Sequence, residues 1–150
     1  MSTTPPGTDR ELLGYKLART NWYQRNLLSY LFKKYQVTIT SEQWVILKVI
    51  ASSPGLSQTE ISQRSLKEKT NVTRILDGLE KKQYIVRTRS NEDRRRFSIT
   101  LTQSGVAVLE TVTPAVIQGE ASLHKVLTQE EVKTLKRLLD KLCVGIQSIT

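Results

Sequence analysis

The fold is decided by residues 69–101, KTNVTRILDGLEKKQYIVRTRSNEDRRRFSITL, in which the spacing of the apolar residues changes partway along. At first, four apolar residues recur at helical spacing: Val72, Ile75, Leu76 and Leu79. From Tyr84 the apolar residues alternate instead, which predicts strands over 84–89 and 97–101. A polar turn that ends in three arginines joins them. The stretch therefore predicts an amphipathic helix followed by a β-hairpin with a charged tip.

A shorter helix precedes this one. Ser57-Gln58-Thr59-Glu60 is a capping box, which predicts a helix that ends near Arg64. After a short break the next helix covers 69–82, and its outer face is polar and cationic. Two short helices joined by a tight turn are a helix-turn-helix, and a hairpin after them makes a winged helix.

Helical segments flank this middle part. Thr8-Asp9-Arg10-Glu11 predicts the start of a helix that is apolar on more than one face, and Thr40-Ser41-Glu42-Gln43 the start of a buried one. A further helix starts at Gln103, where Pro114 should kink or break it, and Thr128 caps the last. Such apolar arms most simply bury each other across a dimer.

The predicted fold class is mainly α with a small β-hairpin wing (α+β), a winged helix-turn-helix with N- and C-terminal dimerisation helices. The predicted organisation has a flexible tail over 1–7 and a winged helix-turn-helix DNA-binding domain over 38–102. The helical dimerisation region comprises 8–37 and 103–150. Cys143, among apolar residues of the last helix, should fill space there.

Charge points to a polyanionic partner. The 150 residues, the size of one domain, include 23 basic and 14 acidic side chains, a net charge of +9. Residues 57–100 hold eleven basic and six acidic side chains, a net +5, whereas 101–150 hold five of each. The middle of the chain is therefore expected to meet the polyanion, and the last third to serve packing or assembly.

Composition also predicts which cofactors, partners and activities the protein lacks. One cysteine and one histidine give neither a disulfide nor the usual zinc ligand sets, so we expect no metal or cofactor. There is no run of eighteen apolar residues and no signal-peptide core, which favours a cytoplasmic protein without a membrane partner. The sequence shows no Ser-His-Asp set and no glycine-rich phosphate loop, so we expect no enzyme.

Three stretches of the chain carry a family resemblance, and the most specific is Asp93-Arg94-Arg95 followed by Leu101-Thr102-Gln103-Ser104-Gly105. With Ser41–Leu47 and Val72–Lys82 in the right order, residues 8–146 resemble the multiple antibiotic resistance regulator (MarR) family. The resemblance implies a homodimeric winged-helix transcription factor of bacteria or archaea that is often released from DNA by a small ligand. We expect a repressor, with an activator as the alternative, and the two-fold symmetry of the dimer predicts a pseudo-palindromic operator.

The sequence departs from the family pattern at two positions. Gln83 stands where the family usually has glycine, at the end of the recognition helix. Either Gln83 adopts the left-handed conformation that suits glycine, or the helix ends differently. Gly78 replaces a commonly charged residue, which is expected to weaken one local ion pair.

The resemblance makes the hairpin a DNA contact. Arginines in the family's wing enter the minor groove, where negative potential is focused. Arg95 holds the position of the usual inserting arginine between Arg94 and Arg96, and Asp93 is placed to orient it. The alternative is a solvated turn without a DNA contact.

The two short helices supply the other candidates for DNA contacts. Asn71 and Arg74 could pair with adenine and guanine, although Arg74 is as well suited to a phosphate contact, and the hydroxyls of Thr70 and Thr73 suit phosphate. Lys67 and Lys69 are phosphate anchors or ordinary surface lysines. Ser57 and Gln58 start a helix whose backbone N–H groups could hold a phosphate. Asp77 is expected to support Arg74 or a neighbour.

One stripe of the first helix is a candidate effector site. Tyr15, Arg19, Trp22 and Asn26 combine aromatic faces with a cation and an amide, which could hold a small aromatic or anionic ligand. The alternative is that Tyr15 and Trp22 fill the dimer seam. For the whole chain, the alternative function is a basic winged-helix module that binds a protein or a membrane without specific DNA recognition.

Overall fold

The computed structural model describes residues 12–89 and 96–149, which form six helices and one hairpin. In order they are α1 Leu13–Lys34, α2 Ser41–Ser52, α3 Gln58–Ser65, α4 Lys69–Lys81, β1 Ile85–Arg89, β2 Phe97–Leu101, α5 Gln103–His124 and α6 Gln129–Gln147. The predicted fold class is confirmed. The predicted tail over 1–7 and the capping box at Thr8–Glu11 lie outside the described residues.

Capping boxes begin three of the helices. The side chains of Thr40, Ser57 and Thr128 each accept a hydrogen bond from the backbone N–H three residues later. The side chain of the glutamine or glutamate at that later position accepts a hydrogen bond from the backbone N–H of the capping residue. These reciprocal bonds satisfy N–H groups that a helix start leaves without partners. α1 begins differently, at Leu13 after Leu12, without a side-chain cap.

The hairpin is tied to the chain that precedes α3. β1 and β2 are antiparallel, with Ile85 opposite Leu101 and Arg87 opposite Ile99. Ile99 also pairs with Leu56, whose carbonyl accepts from the Ile99 N–H at 2.9 Å. The hairpin therefore starts from a fixed position beside the helix-turn-helix.

The core lies beneath α4. Val72, Leu76 and Leu79 are fully buried, and they belong to a cluster that includes Ile46, Leu47, Ile50, Ile61 and Ile99. Burying such a side chain contributes about 1.5–3 kcal/mol. Because these residues recur at helical spacing, their burial turns the polar residues of α4 outward.

Gln83 adopts the left-handed conformation, with φ of 59°. The Tyr84 N–H donates to the Leu79 carbonyl at 3.0 Å, and the Gln83 N–H donates to the Glu80 carbonyl at 2.8 Å. These bonds close the end of α4 in the manner of a glycine cap, at a cost of about 1–2 kcal/mol for a residue with a Cβ atom. Of the two alternatives, the strained helix end is the one observed.

α5 continues through Pro114, so of the two predicted outcomes, a kink or a break, the break does not occur. Pro114 lies on the solvent face with Glu110, so water can reach the carbonyl group that lacks its helical partner. Val112 and Ala115, on either side, are buried in the core. Gly119 continues the contact with α1, since a Cβ atom there would lie 3.2 Å from Leu28 Cδ2.

α6 has no buried residue in the single chain. Leu135, Leu138 and Leu139 remain substantially exposed, and Cys143 is exposed as well. The expectation that Cys143 fills space is therefore wrong within one chain, because among the described residues nothing buries it. Among the described helices, none is both long and apolar enough to cross a membrane.

We predict that Gly105→Ala destabilises the protein by about 2–3 kcal/mol, because overpacking forces the backbone apart. A Cβ atom at Gly105 would lie 2.0 Å from the Tyr84 carbonyl oxygen. At Gly14, also helical, a Cβ atom would meet nothing within 4 Å. Gly14→Ala should leave stability unchanged or raise it by up to about 1 kcal/mol. Urea unfolding of both variants measures this, and equal stabilities would contradict the close approach.

We predict that Glu131 contributes to the pH dependence of stability. The Thr128 backbone N–H and hydroxyl hydrogen-bond to the Glu131 carboxylate and lower its pKa below the ordinary 4.5. A lowered pKa gives stability that is present above the ordinary value and lost as pH falls through the lowered one. Glu131→Gln should therefore flatten the fall of the urea midpoint between about pH 5 and 3. Glu130→Gln, one residue before, is the control, and equal slopes in both variants would contradict the prediction.

Candidate nucleic-acid interface

The outer face of α4 consists of the polar side chains that point away from its buried face: Lys69, Thr70, Asn71, Thr73 and Arg74. All are exposed except Asn71, which is half-buried. The residue before the helix, Glu68, makes no side-chain cap. The structure thus brings five of the predicted DNA-contact residues onto one accessible surface.

Ser57 and Gln58 stand beside this face. Ser57 caps α3 by exchanging hydrogen bonds with Glu60, as a capping residue would. The Gln58 side-chain amide donates to the Thr73 hydroxyl, and that hydroxyl donates to the Lys69 carbonyl at 2.9 Å. The hydrogen bond between Gln58 and Thr73 therefore joins α3 to α4.

Lys67 and Arg74 both approach Glu42 of α2. The Lys67 ammonium lies 3.5 Å from Glu42 Oε1, and its side chain is only 21% exposed. Arg74 Nη2 lies 3.7 Å from Glu42 Oε2 and donates to Asn71 Oδ1 at 2.9 Å, with the Arg74 side chain 73% exposed. Arg74 therefore belongs to the accessible surface, whereas Lys67 is half-buried in an ion pair.

Asp77 pairs with Arg87 and not with Arg74, so of the two expected partners it supports a neighbour. Asp77 Oδ1 accepts from Arg87 Nη2 at 2.7 Å, and Glu80 Oε2 accepts from Arg87 Nη1 at 2.8 Å. Sequence reasoning missed Arg87, which links β1 to α4. A signal was available, because Arg87 follows Ile85 on the buried side of the strand, where a charge needs a partner.

A groove of about 640 Å³ runs between α3, α4 and the hairpin, with Gln58, Thr73, Arg96 and Phe97 in its lining. Arg96 is exposed. Hydrogen bonds from the Ser57 hydroxyl and backbone lower the pKa of Glu60, and the charges of Arg96 and Arg64 lower it further. Asp93, Arg94 and Arg95 lie outside the described residues.

The structure divides the predicted effector stripe. Trp22 and Asn26 line a cavity of about 390 Å³ together with Arg25 and Ser41. Tyr15 and Arg19 contact each other instead, with the guanidinium 5.8 Å from the ring centre. A neighbouring cavity of about 240 Å³ includes Arg25, Glu42, Trp44 and Lys67. Arg25 is thus a cavity residue that the sequence-based selection left out, although it lies one position before Asn26.

The sequence of the chain is similar to those of known transcriptional regulators. The model of the MarR family matches residues 39–97. The HTH-type transcriptional regulator PapX of Escherichia coli is 33% identical over 131 residues, 87% of this chain and 80% of that protein. The matched part spans 60 to 80% of the length of such curated relatives.

Solved structures share the fold over nearly the whole chain. The transcriptional repressor CouR, bound to a 23-mer DNA duplex, superposes with a TM-score of 0.83 at 30% identity, covering 95% of this chain and 99% of that one. CouR bound to p-coumaroyl-CoA gives a TM-score of 0.82 at 28% identity, covering 93% and 96%. The chain therefore belongs to the MarR family of transcriptional regulators.

Proposed function

We propose that the protein is a homodimeric transcriptional repressor that binds a pseudo-palindromic operator and is released by a small effector. The observation that carries the proposal is the outer face of α4, a polar and cationic surface that the buried face of the same helix holds outward. The DNA-bound structure of CouR, a relative of the same fold, supports it.

We assign the DNA contacts by chemistry. Asn71 and Arg74 are to contact base edges in the major groove, and Lys69, Thr70 and Thr73 the phosphates on either side. Ser57, Gln58 and Lys67 lie beside this face and are assigned to phosphate; like Asn71, Thr73 and Arg74, each makes an intramolecular bond that DNA would have to share or replace.

For the wing we propose that Arg94, Arg95 and Arg96 enter or flank the minor groove and that Asp93 orients Arg95. The exposed position of Arg96 beside the groove between α3, α4 and the hairpin supports a contact there. Cations in a narrow minor groove gain from its concentrated negative potential.

The proposed dimer is formed by the dimerisation region, 8–37 with 103–150, leaving the winged helix-turn-helix of 38–102 to bind DNA. A groove of about 630 Å³ is lined by Leu13 and Leu17 of α1 and by Leu135, Leu139 and Ile146 of α6. A monomer would leave this apolar surface in water, and a second copy would cover it. The zero net charge of 101–150 suits such an interface.

The proposed effector is a small aromatic or anionic molecule. The cavity beside Trp22, Asn26 and Arg25 offers an aromatic face, an amide and a cation, and CouR with p-coumaroyl-CoA is a relative that holds a ligand. Tyr15 and Arg19 lie on the same helix and are to join the site when the second copy is present. A ligand releases DNA only by the difference between its affinities for the two states.

We infer a cytoplasmic protein, because its proposed partner is DNA, and a regulator rather than an enzyme. The relatives reported above are transcriptional regulators, which supports both inferences. The same relatives favour DNA over the alternative of a basic module that binds a protein or a membrane.

We predict that selection from a pool of random-sequence duplexes enriches an inverted repeat. If about six to ten phosphates are neutralised, log K for the enriched duplex should fall with log salt at a slope of about −5 to −9. Fluorescence anisotropy at several salt concentrations measures the slope. Enrichment of no sequence, together with capture by anionic vesicles, would favour the module that binds membranes.

We predict that the intact chain sediments as a dimer at micromolar concentration and that Leu139→Glu converts it to monomer. The charge would enter the apolar groove between α1 and α6, where burying a carboxylate beneath a second copy is costly. Val144→Glu, which adds the same charge on the opposite side of α6, is the control and should remain a dimer. A monomeric wild type would contradict the proposed two-fold mechanism.

A further inference from the structure

Glu42 collects cations from three separate parts of the chain. It is the second residue of α2, and its Oε1 lies 3.1 Å from Arg25 Nη2 of α1 and 3.5 Å from Lys67 Nζ, which precedes α4. Its Oε2 lies 3.7 Å from Arg74 Nη2 of α4. The side chain is 24% exposed, so solvent screens these pairs only in part.

An acidic residue in the first turn of a helix has an ordinary explanation, since it complements the helix dipole. That explanation requires no cation from elsewhere. At Glu42, in contrast, one carboxylate links the long helix α1 to the outer face of α4. The arrangement of the three cations therefore calls for a role beyond helix capping.

Arg74 shows what that role is. Both of its contacts use Nη2, one with Glu42 Oε2 and one with Asn71 Oδ1. Nη1 and Nε make no hydrogen bond to any residue that the structure describes, and the side chain is 73% exposed. The guanidinium therefore makes its hydrogen bond and its ion pair at one nitrogen, which leaves its other donors for a base edge.

We propose that Glu42 is a positioning residue for DNA recognition, which holds the Arg74 guanidinium in a fixed orientation on the outer face of α4. The inference rests on the proposed function and deepens it. Holding a long side chain in place lowers the entropy lost on binding. Contacts to base edges require that orientation, whereas contacts to phosphates depend mainly on charge.

The sign of the effect separates this role from general electrostatics. Removing a negative charge near DNA should tighten binding to every duplex, because it lowers repulsion from the phosphates. Loss of a positioning residue should instead weaken binding to the selected sequence and leave binding to other sequences unchanged or tighter. The matched control is Glu68→Gln, which removes a charge just before α4 from a residue that makes no side-chain cap.

The experiment uses the full chain, the duplex that the wild type enriches and a scrambled duplex of the same composition. Glu42→Gln should raise Kd for the enriched duplex by about 5- to 10-fold and leave Kd for the scrambled one equal or lower. Glu68→Gln should lower both values by the same factor. Glu42→Asp keeps the charge in the first turn of α2 but shortens the side chain, and it should also lose discrimination.

A double-mutant cycle tests whether Glu42 acts through Arg74. In the Arg74→Ala background, Glu42→Gln should cause no further loss of discrimination, because the guanidinium that it positions is gone. A loss that persists there, or equal behaviour of Glu42→Gln and Glu68→Gln, would overturn the inference. If the wild type enriches no sequence, the proposed function itself fails, which is a distinguishable outcome.

Discussion

Burial of one face of α4 is the contact on which the rest of the DNA-binding surface depends. Val72, Leu76 and Leu79 are inaccessible to solvent and pack in one cluster with residues of α2, α3 and β2. Truncating a buried leucine of this kind to alanine costs about 2–5 kcal/mol, a large part of the stability of a small protein. The apolar face of α4 is buried at only one rotation of the helix about its own axis. The core therefore determines which side chains point outward.

Polar contacts then fix the position of the α4 side chains that the apolar contact leaves free to move. Arg87 holds the C-terminal half of α4 through Asp77 and Glu80, while Gln58 and Glu42 contact side chains of its N-terminal half. Asp77 and Glu80 lie in segment 57–100, which has a net charge of +5 and faces the proposed DNA, and Glu42 lies beside it; attraction of DNA to this region would otherwise disfavour carboxylates there. Their bonds to cations explain their presence, since a neutralised carboxylate costs little affinity and sets the position of its partner.

The sequence was sufficient for whatever depends on near neighbours. Capping boxes, apolar spacing and alternation predicted the helices and the hairpin, because each signal spans only a few residues. Pairs such as Asp77 with Arg87 and Glu42 with Lys67 were missed, since they form only after distant elements meet. Pro114 shows the same limit. The helix continues past it, and Val112 and Ala115, on either side, are buried in the core formed with distant elements.

The polar contacts around α4 also differ from its core in how they respond to movement. A closely packed apolar face cannot adjust gradually to a movement, because its side chains already fill the space between the elements. The separation of 3.1 Å between Arg25 and Glu42 changes with any shift of α1 against α2, and Glu42 contacts Arg74 through its other oxygen. The cavity beside Trp22 and Asn26 includes Arg25. If the proposed effector binds there, we infer that it would move Arg25 relative to Glu42 and so change the orientation of Arg74, while the core stays packed and release from DNA needs no unfolding.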